Sequence, residues 1–207
     1  VRMAVAAGGI PVMLGGEHTA TYGPVKALKD MGREFGVVQF DAHADLRDTY
    51  EGSPWSHACV MRRVHELGVP FVQIGVRSLS APEEELRREK NIVHHDARKL
   101  AVYGHPAAFL PEGFPQDIYI TFDIDAFDAT LMPATGTPEP GGLFWHDAVS
   151  ILEKVTEDRR LIGFDVVELA PQPGLHACDF TAAKLVYALM GMVDGWMGEG
   201  RRAVFRS

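Results

Sequence analysis

Cysteine is scarce: Cys59 and Cys178 are the only two in 207 residues. Two cysteines cannot build a disulfide scaffold, and they suit a chain that stays reduced in a cytoplasmic setting. No stretch reaches the ~20 apolar residues a membrane-spanning helix needs, so a membrane role is not expected. The apolar start, Val1 to Leu14, lacks a basic segment and runs straight into a polar motif, which argues against a cleaved leader. Basic charge is in deficit, with a net charge of −8. That balance disfavours a nucleic-acid partner and is compatible with a cationic small molecule. Gly8-Gly9 and Gly15-Gly16 do not form the glycine-rich fingerprint of a dinucleotide site. Internal repeats, low-complexity tracts and linkers are absent from the sequence. What is present, 46% hydrophobic and 23% charged residues, suits one domain, 1–207, with a sizeable core.

The informative stretch is Phe40-Asp41-Ala42-His43-Ala44-Asp45. It follows the apolar run Phe35–Phe40, which reads as a buried strand. On extended backbone, residues i and i+2 point the same way, so Asp41 and His43 project together as the strand ends. Asp45 follows where the chain turns away. A second pair, Asp123 and Asp125, closes another apolar run, Asp117–Phe122. A third element, Gly15-Gly16-Glu17-His18, follows the apolar run Pro11–Leu14. In open α/β sheets, ligands bind at the carboxyl ends of strands.

Taken singly, an aspartate after a strand is usually a turn residue or a helix cap. Three coincident strand ends change that balance. Four aspartates and two histidines gathered without a cation would repel and lose hydration. A pair of divalent ions bridged by carboxylates, about 3.5–4 Å apart, resolves the conflict. Oxygen-rich ligation with imidazole suits Mn²⁺ better than a thiolate zinc site.

The strands are expected at Ile10–Leu14, Phe35–Phe40, Phe71–Val76, Ile92–His94, Asp117–Phe122 and Leu161–Val167. Between them, helices are expected over Thr19–Met31, Ser56–Leu67, Glu83–Lys90 and Trp145–Glu157, with a last one over Thr181–Met197. Ala97–Val102 reads as one or two helical turns, and Val1–Ala7 as the end of a helix. This alternation predicts a three-layer α-β-α fold with a mainly parallel sheet. The proline- and glycine-rich segment Ala129–Leu143 is long enough to be a functional loop.

At this point the residues resemble a family. Gly-Gly-Glu-His-Thr (15–19), Asp-Ala-His-Ala-Asp (41–45) and Phe-Asp-Ile-Asp-Ala-Phe-Asp (122–128) are similar to motifs of the ureohydrolases, which include arginase and agmatinase. The loop 133–142 and Val166–Pro171 match them too. The resemblance runs from about Val12 to about Val193 and is nearest to agmatinase. It implies an arginase/deacetylase-like fold. Relatives carry roughly a further hundred residues before the first histidine motif, so the chain reads as the family without its N-terminal part.

The resemblance implies two Mn²⁺ ions. His18, Asp41, Asp45 and Asp123 would bind one; His43, Asp41, Asp123 and Asp125 the other. Asp41 and Asp123 would bridge. The metals would activate a water to attack a guanidinium carbon, giving urea and an amine. His57 is expected to transfer a proton, although a capping or surface histidine is the plain alternative. Glu168 is expected to hold the guanidinium, with a rim salt bridge as its alternative. Asp128 resembles a residue that helps fix the reacting groups, but Ala129 stands where the family usually has proline. Glu17 is a candidate partner for the second nitrogen of His18. His65, His94, His95, His105, His146 and His176 carry no ligand spacing and default to surface or packing roles.

The loop Leu46-Arg47-Asp48-Thr49-Tyr50-Glu51 resembles agmatinases. Asp48 and Glu51 are expected to favour a terminal amine, as in agmatine or an amine-extended agmatine, while Arg47 keeps a guanidino acid open. Arginase-type activity and a non-catalytic structural remnant are the two other readings. Self-association is expected, because a shortened sheet leaves an edge or apolar face that takes a partner.

Overall fold

Six strands lie side by side in the order β1-β6-β5-β2-β3-β4, every neighbouring pair parallel, in a computed structural model that describes residues 1–197. The last ten residues of the expected 1–207 unit lie outside the described residues. The strands are β1 (Val12–Leu14), β2 (Gly36–Phe40), β3 (Phe71–Ile74), β4 (Val93–His95), β5 (Asp117–Asp123) and β6 (Arg160–Val167). The helices are α1 (Arg2–Ala6), α2 (Tyr22–Asp30), α3 (Val60–Glu66), α4 (Ala81–Glu89), α5 (Ala97–Tyr103), α6 (Trp145–Thr156) and α7 (His176–Met197).

The central strands β2, β3, β5 and β6 are largely buried on both faces because helices cover both faces. One core joins Val38, Phe40, Ile120 and Phe122 to Leu100 of α5, to Ile151 and Leu152 of α6, and to Leu185 and Leu189 of α7. The other joins Val37, Phe71 and Tyr119 to α2, α3 and α4 through Leu28, Val64 and Leu86. Val37 and Val38 point to opposite cores, as period-two alternation requires. Among the described residues, no helix is long and apolar enough to cross a membrane.

The largest departures from the expected boundaries are at two helix starts. α7 begins at His176, five residues before Thr181, because Leu175 closes the preceding turn by accepting from Cys178 N at 2.9 Å. His57 lies in a separate 3-10 turn, His57–Cys59, ahead of α3; the Ser56 side chain makes no capping hydrogen bond. Local hydroxyl capping was the expected start signal, and tertiary contacts override it here.

The strand order decides where a site can form. From β2 the chain steps outward to β3 and β4, and from β5 it steps the other way to β6. Between β2 and β5 the connections part, which opens a crevice beyond the strand ends. Asp41 follows β2 and Asp123 ends β5, on either side of that crevice.

Candidate metal centre

His18 arrives from the far edge of the sheet. After β1, Gly15 and Gly16 adopt φ of 80° and 92°, a left-handed backbone that glycine enters without strain. Gly15 N donates to Val166 O and Gly16 O accepts from Glu168 N, so the turn follows β6. The imidazole is then fully buried beside β5.

Three carboxylates face one nitrogen of that ring. His18 Nδ1 lies 3.1 Å from Asp41 Oδ2, 3.0 Å from Asp45 Oδ2 and 3.3 Å from Asp123 Oδ2. On the other side of Asp41, His43 Nδ1 lies 3.5 Å from Asp41 Oδ1 and 3.0 Å from Asp125 Oδ2. His18, Asp41 and Asp123 thus form one group with metal-ligand spacing, and Asp41, His43 and Asp125 form a second. Asp41 belongs to both and presents one oxygen to each. Asp123 falls in the first group alone; its Oδ1 accepts from Asp125 N at 2.9 Å. Asp45 joins through His18, from a left-handed φ of 54° that turns its chain back towards the ring. A non-glycine residue there costs about 1 kcal/mol or more, a strain that clusters at functional sites.

The charges are mutually dependent. Burial opposes ionisation of Asp41, yet His18 and His43 hold its carboxyl below the usual range. Burial and the neighbouring Asp41 push Asp45 up to about 8. Burial, Asp125 and Asp41 raise Asp123 well above normal. Burial disfavours charge on His43, but Asp125 and Asp41 outweigh it and raise the imidazole to about 11. His18 is likewise raised against its burial by Asp123, Asp41 and Asp45. Carboxylates crowded out of water raise one another's affinity for positive charge, an imbalance that a bound cation would offset.

The tautomer of His18 tests whether the residues fit a metal. His18 Nε2 lies 2.9 Å from Thr121 Oγ1, and the Thr121 hydroxyl donates to Asp165 Oδ1 at 2.7 Å. The hydroxyl proton is therefore committed to Asp165, so Thr121 oxygen accepts and Nε2 carries the hydrogen. In the neutral ring Nδ1 is then a bare lone pair. It is buried, has no hydrogen-bond partner and faces three carboxylates. That is the ligating form of histidine, held by an outer partner in the way metal sites require. Four carboxylates and two imidazoles supply hard oxygen and nitrogen donors, which fit Mn²⁺.

Other expected site residues are placed as follows. Glu168 also has a left-handed φ, 64°, and its Oε1 accepts from His18 N at 2.7 Å. His57 is 41% exposed at its side chain, with Nδ1 3.3 Å from Glu17 Oε1 and its ring edge-on to Tyr50. Glu17 also accepts from His57 N and from Thr19. It thus serves His57 and the turn, while Thr121 meets the second nitrogen of His18, the position expected for Glu17. Asp128 is spent on its own loop: Oδ1 accepts from Thr130 N and Oγ1, Oδ2 from Gly141 N and Gly142 N. Asp48 is exposed and accepts from Arg63 Nη2 at 3.0 Å. Glu51 is exposed in a turn with φ of 50°. Arg47 lies over the Tyr50 ring at 5.2 Å.

A polar row beneath the ligands escaped the sequence reading. Gln73, Gln39, Thr121 and Asp165 are register partners across β3, β2, β5 and β6. Gln39 Nε2 donates to Asp41 Oδ2 at 2.7 Å, and Arg87 Nε donates to Gln73 Oε1 at 2.7 Å. Tyr119 hydroxyl donates to Asp165 Oδ2 at 2.7 Å. One signal was available: Gln39 and Thr121 stand two residues before Asp41 and Asp123, so each shares a face with its ligand.

Fold and site together define an α/β protein with a candidate metal centre, two groups that share one carboxylate, at the switch point of a parallel sheet. A sequence model of the Arginase family matches residues 1–191, and the chain belongs to that family. It is 43% identical to the N(1)-aminopropylagmatine ureohydrolase of Synechocystis over 196 residues, 92% of this chain and 62% of that protein. It is 41% identical to the agmatinase of Pyrococcus horikoshii over 184 residues, 88% of this chain and 62% of that protein. The agmatine ureohydrolase structure of Thermoplasma volcanium superposes with a TM-score of 0.81 at 30% identity, covering 98% of this chain and 67% of that one. The chain therefore spans about 62% of the length of these curated relatives.

Proposed function

We propose that the chain is one catalytic unit of a dinuclear manganese hydrolase, which cleaves a guanidino compound to urea and an amine. The observation that carries the reading is Asp41, whose two oxygens face two separate imidazole–carboxylate groups. When bound, the metal pair supplies activation of the attacking water and charge stabilisation. His18, Asp41, Asp45 and Asp123 would hold one ion, and His43, Asp125 and Asp41 the other; Asp123, which belongs to the first group and uses Oδ1 on Asp125 N, is the further ligand proposed for the second ion.

The remaining work belongs to side chains around that cluster. Glu168 uses one oxygen on His18 N; its other oxygen is the proposed partner of the substrate guanidinium, by charge-assisted hydrogen bonding. Water oxygen bonds to the guanidinium carbon, the carbon–nitrogen bond to the chain breaks, and the departing nitrogen takes a proton. Glu17 holds His57 at Nδ1, which assigns Nε2 to carry that proton. Asp128 orders the 130–142 loop that borders the site.

For substrate we favour agmatine or an amine-extended agmatine over arginine. Arg47 is the sole cation of the 46–55 loop, and it packs over Tyr50 and faces Glu83 at 3.9 Å. Asp48 and Glu51 give the loop its net negative charge, which favours an amine tail. The names of the relatives support the same choice. A cytoplasmic location and a place in polyamine synthesis accompany this reading. Self-association does too: β1 is a terminal strand that exposes Val12 and Leu14.

The test is urea release from a panel of guanidino compounds by the manganese-reconstituted chain. Agmatine or aminopropylagmatine should exceed arginine in kcat/KM. Preference for arginine would reverse the substrate assignment, and no urea from any member would favour a structural remnant.

A further inference from the structure

We propose that Arg77 is a positioning residue for the His43–Asp125 half of the metal centre. The inference rests on the two-ion reading above. Arg77 follows β3 and touches no ligand side chain in a hydrogen bond. Its guanidinium instead donates to backbone carbonyls from three segments. Nη2 reaches Asp125 O at 2.8 Å, Phe127 O at 3.1 Å and Glu139 O at 2.8 Å. Nε reaches Pro140 O at 3.1 Å, and Nη1 reaches Gly75 O at 3.1 Å and Ala126 O at 3.4 Å.

The segments so joined are those that build one half of the site. Arg77 N and Ser78 N both donate to Ala42 O, at 2.8 and 2.9 Å, which ties the strand end to the turn bearing His43. Asp125 is held by its own carbonyl. The 139–140 carbonyls fix a loop whose side chains reach the same two ligands. Thr137 Oγ1 donates to Asp125 Oδ2 at 3.3 Å, and Glu139 Oε1 stands 3.9 Å from His43 Nε2. That separation sets the carboxylate against the outer nitrogen of His43, so Glu139 can orient the ring by charge attraction. By contrast, His18 sits on a segment that none of these bonds touches, and Asp45 and Asp123 lie about three and two residues from Ala42 and Asp125, the nearest residues bonded.

Only a guanidinium can do this. Lysine has three donors on one atom, whereas arginine spreads five N–H groups over a planar fork. Gly142 makes room for it: a Cβ there would stand 2.6 Å from Arg77 Nη2. The geometry predicts an asymmetric defect. Loss of the fork should loosen the second ion and spare the first, whereas a general loss of fold would weaken both.

The experiment is manganese titration of the wild-type chain and Arg77→Lys, followed by competition with a chelator and by electron paramagnetic resonance. Circular dichroism checks the fold. Wild type should bind two equivalents and give the spectrum of a coupled pair. Arg77→Lys should bind the first equivalent unchanged and the second about 10–100-fold more weakly, the usual cost of an outer partner. The spectrum should become that of an isolated ion. Equal weakening of both equivalents, or of neither, would overturn the proposal. If wild type itself binds fewer than two, the two-ion reading fails instead, a separate outcome. Should Arg77→Lys not fold, Thr137→Ala and Glu139→Gln decide: selective weakening of the second equivalent supports the clamp, and unchanged binding overturns it.

Discussion

Asp128→Asn should destabilise the chain by a pH-dependent amount. In the folded protein, burial would raise the Asp128 carboxyl, but hydrogen bonds from Thr130 and from Gly142 and Gly141 N outweigh it and lower its pKa from 3.8 to about 2. A shift near two units corresponds to roughly 2–2.5 kcal/mol of differential stabilisation. Asparagine keeps one accepting oxygen but turns a donor towards either the Thr130 pair or the two glycine amides, leaving donors face to face. The sign follows from the depressed pKa. The contribution is fully present above the unfolded value and is lost as pH falls through the folded one. Near neutral pH the variant should unfold in urea with a loss of roughly 2 kcal/mol; about half of that difference should remain near pH 3. Denaturant unfolding of both proteins across that range measures it. A difference below about 0.5 kcal/mol at neutral pH, or one that does not shrink on acidification, would refute the linkage argument.

Further expectations concern the site. Thr121→Val removes the acceptor that sets the His18 tautomer, and should weaken manganese binding about 10–100-fold in a chelator competition; unchanged affinity would show that the ring needs no outer partner. Asp41→Asn should impair both ions and Asp125→Asn mainly one, as read by elemental analysis, and full occupancy in the Asp41 variant would sink the shared-ligand assignment. His57→Ala should retain metal and lose turnover by about 10²–10⁴-fold; equal urea production at every pH would make His57 a bystander. Neutral residues at Asp48 and Glu51 should raise KM for the amine substrate more than they change metal content, with Arg63 left without its Asp48 partner.

The clustering of the candidate ligands was readable in the chain because most of them obey a local rule. Asp41 and His43 are two residues apart at a strand end, as are Asp123 and Asp125, and extended backbone aims such pairs together. The alternation of apolar runs with helical segments likewise determined a layered, parallel sheet. Tertiary structure decided everything that depends on what lies across from a strand. Glu17 is adjacent to His18 in sequence, yet its carboxylate serves His57, forty residues on. The nitrogen expected for it meets Thr121, across 103 residues. Asp128 bears an acid suited to chemistry, but the loop folds back so that amides 13 and 14 residues away occupy it. Arg77 is the extreme case: its partners are carbonyls up to 63 residues distant. Every residue carries a carbonyl, so no residue type marks the acceptors, and only the packed chain can bring them to one guanidinium.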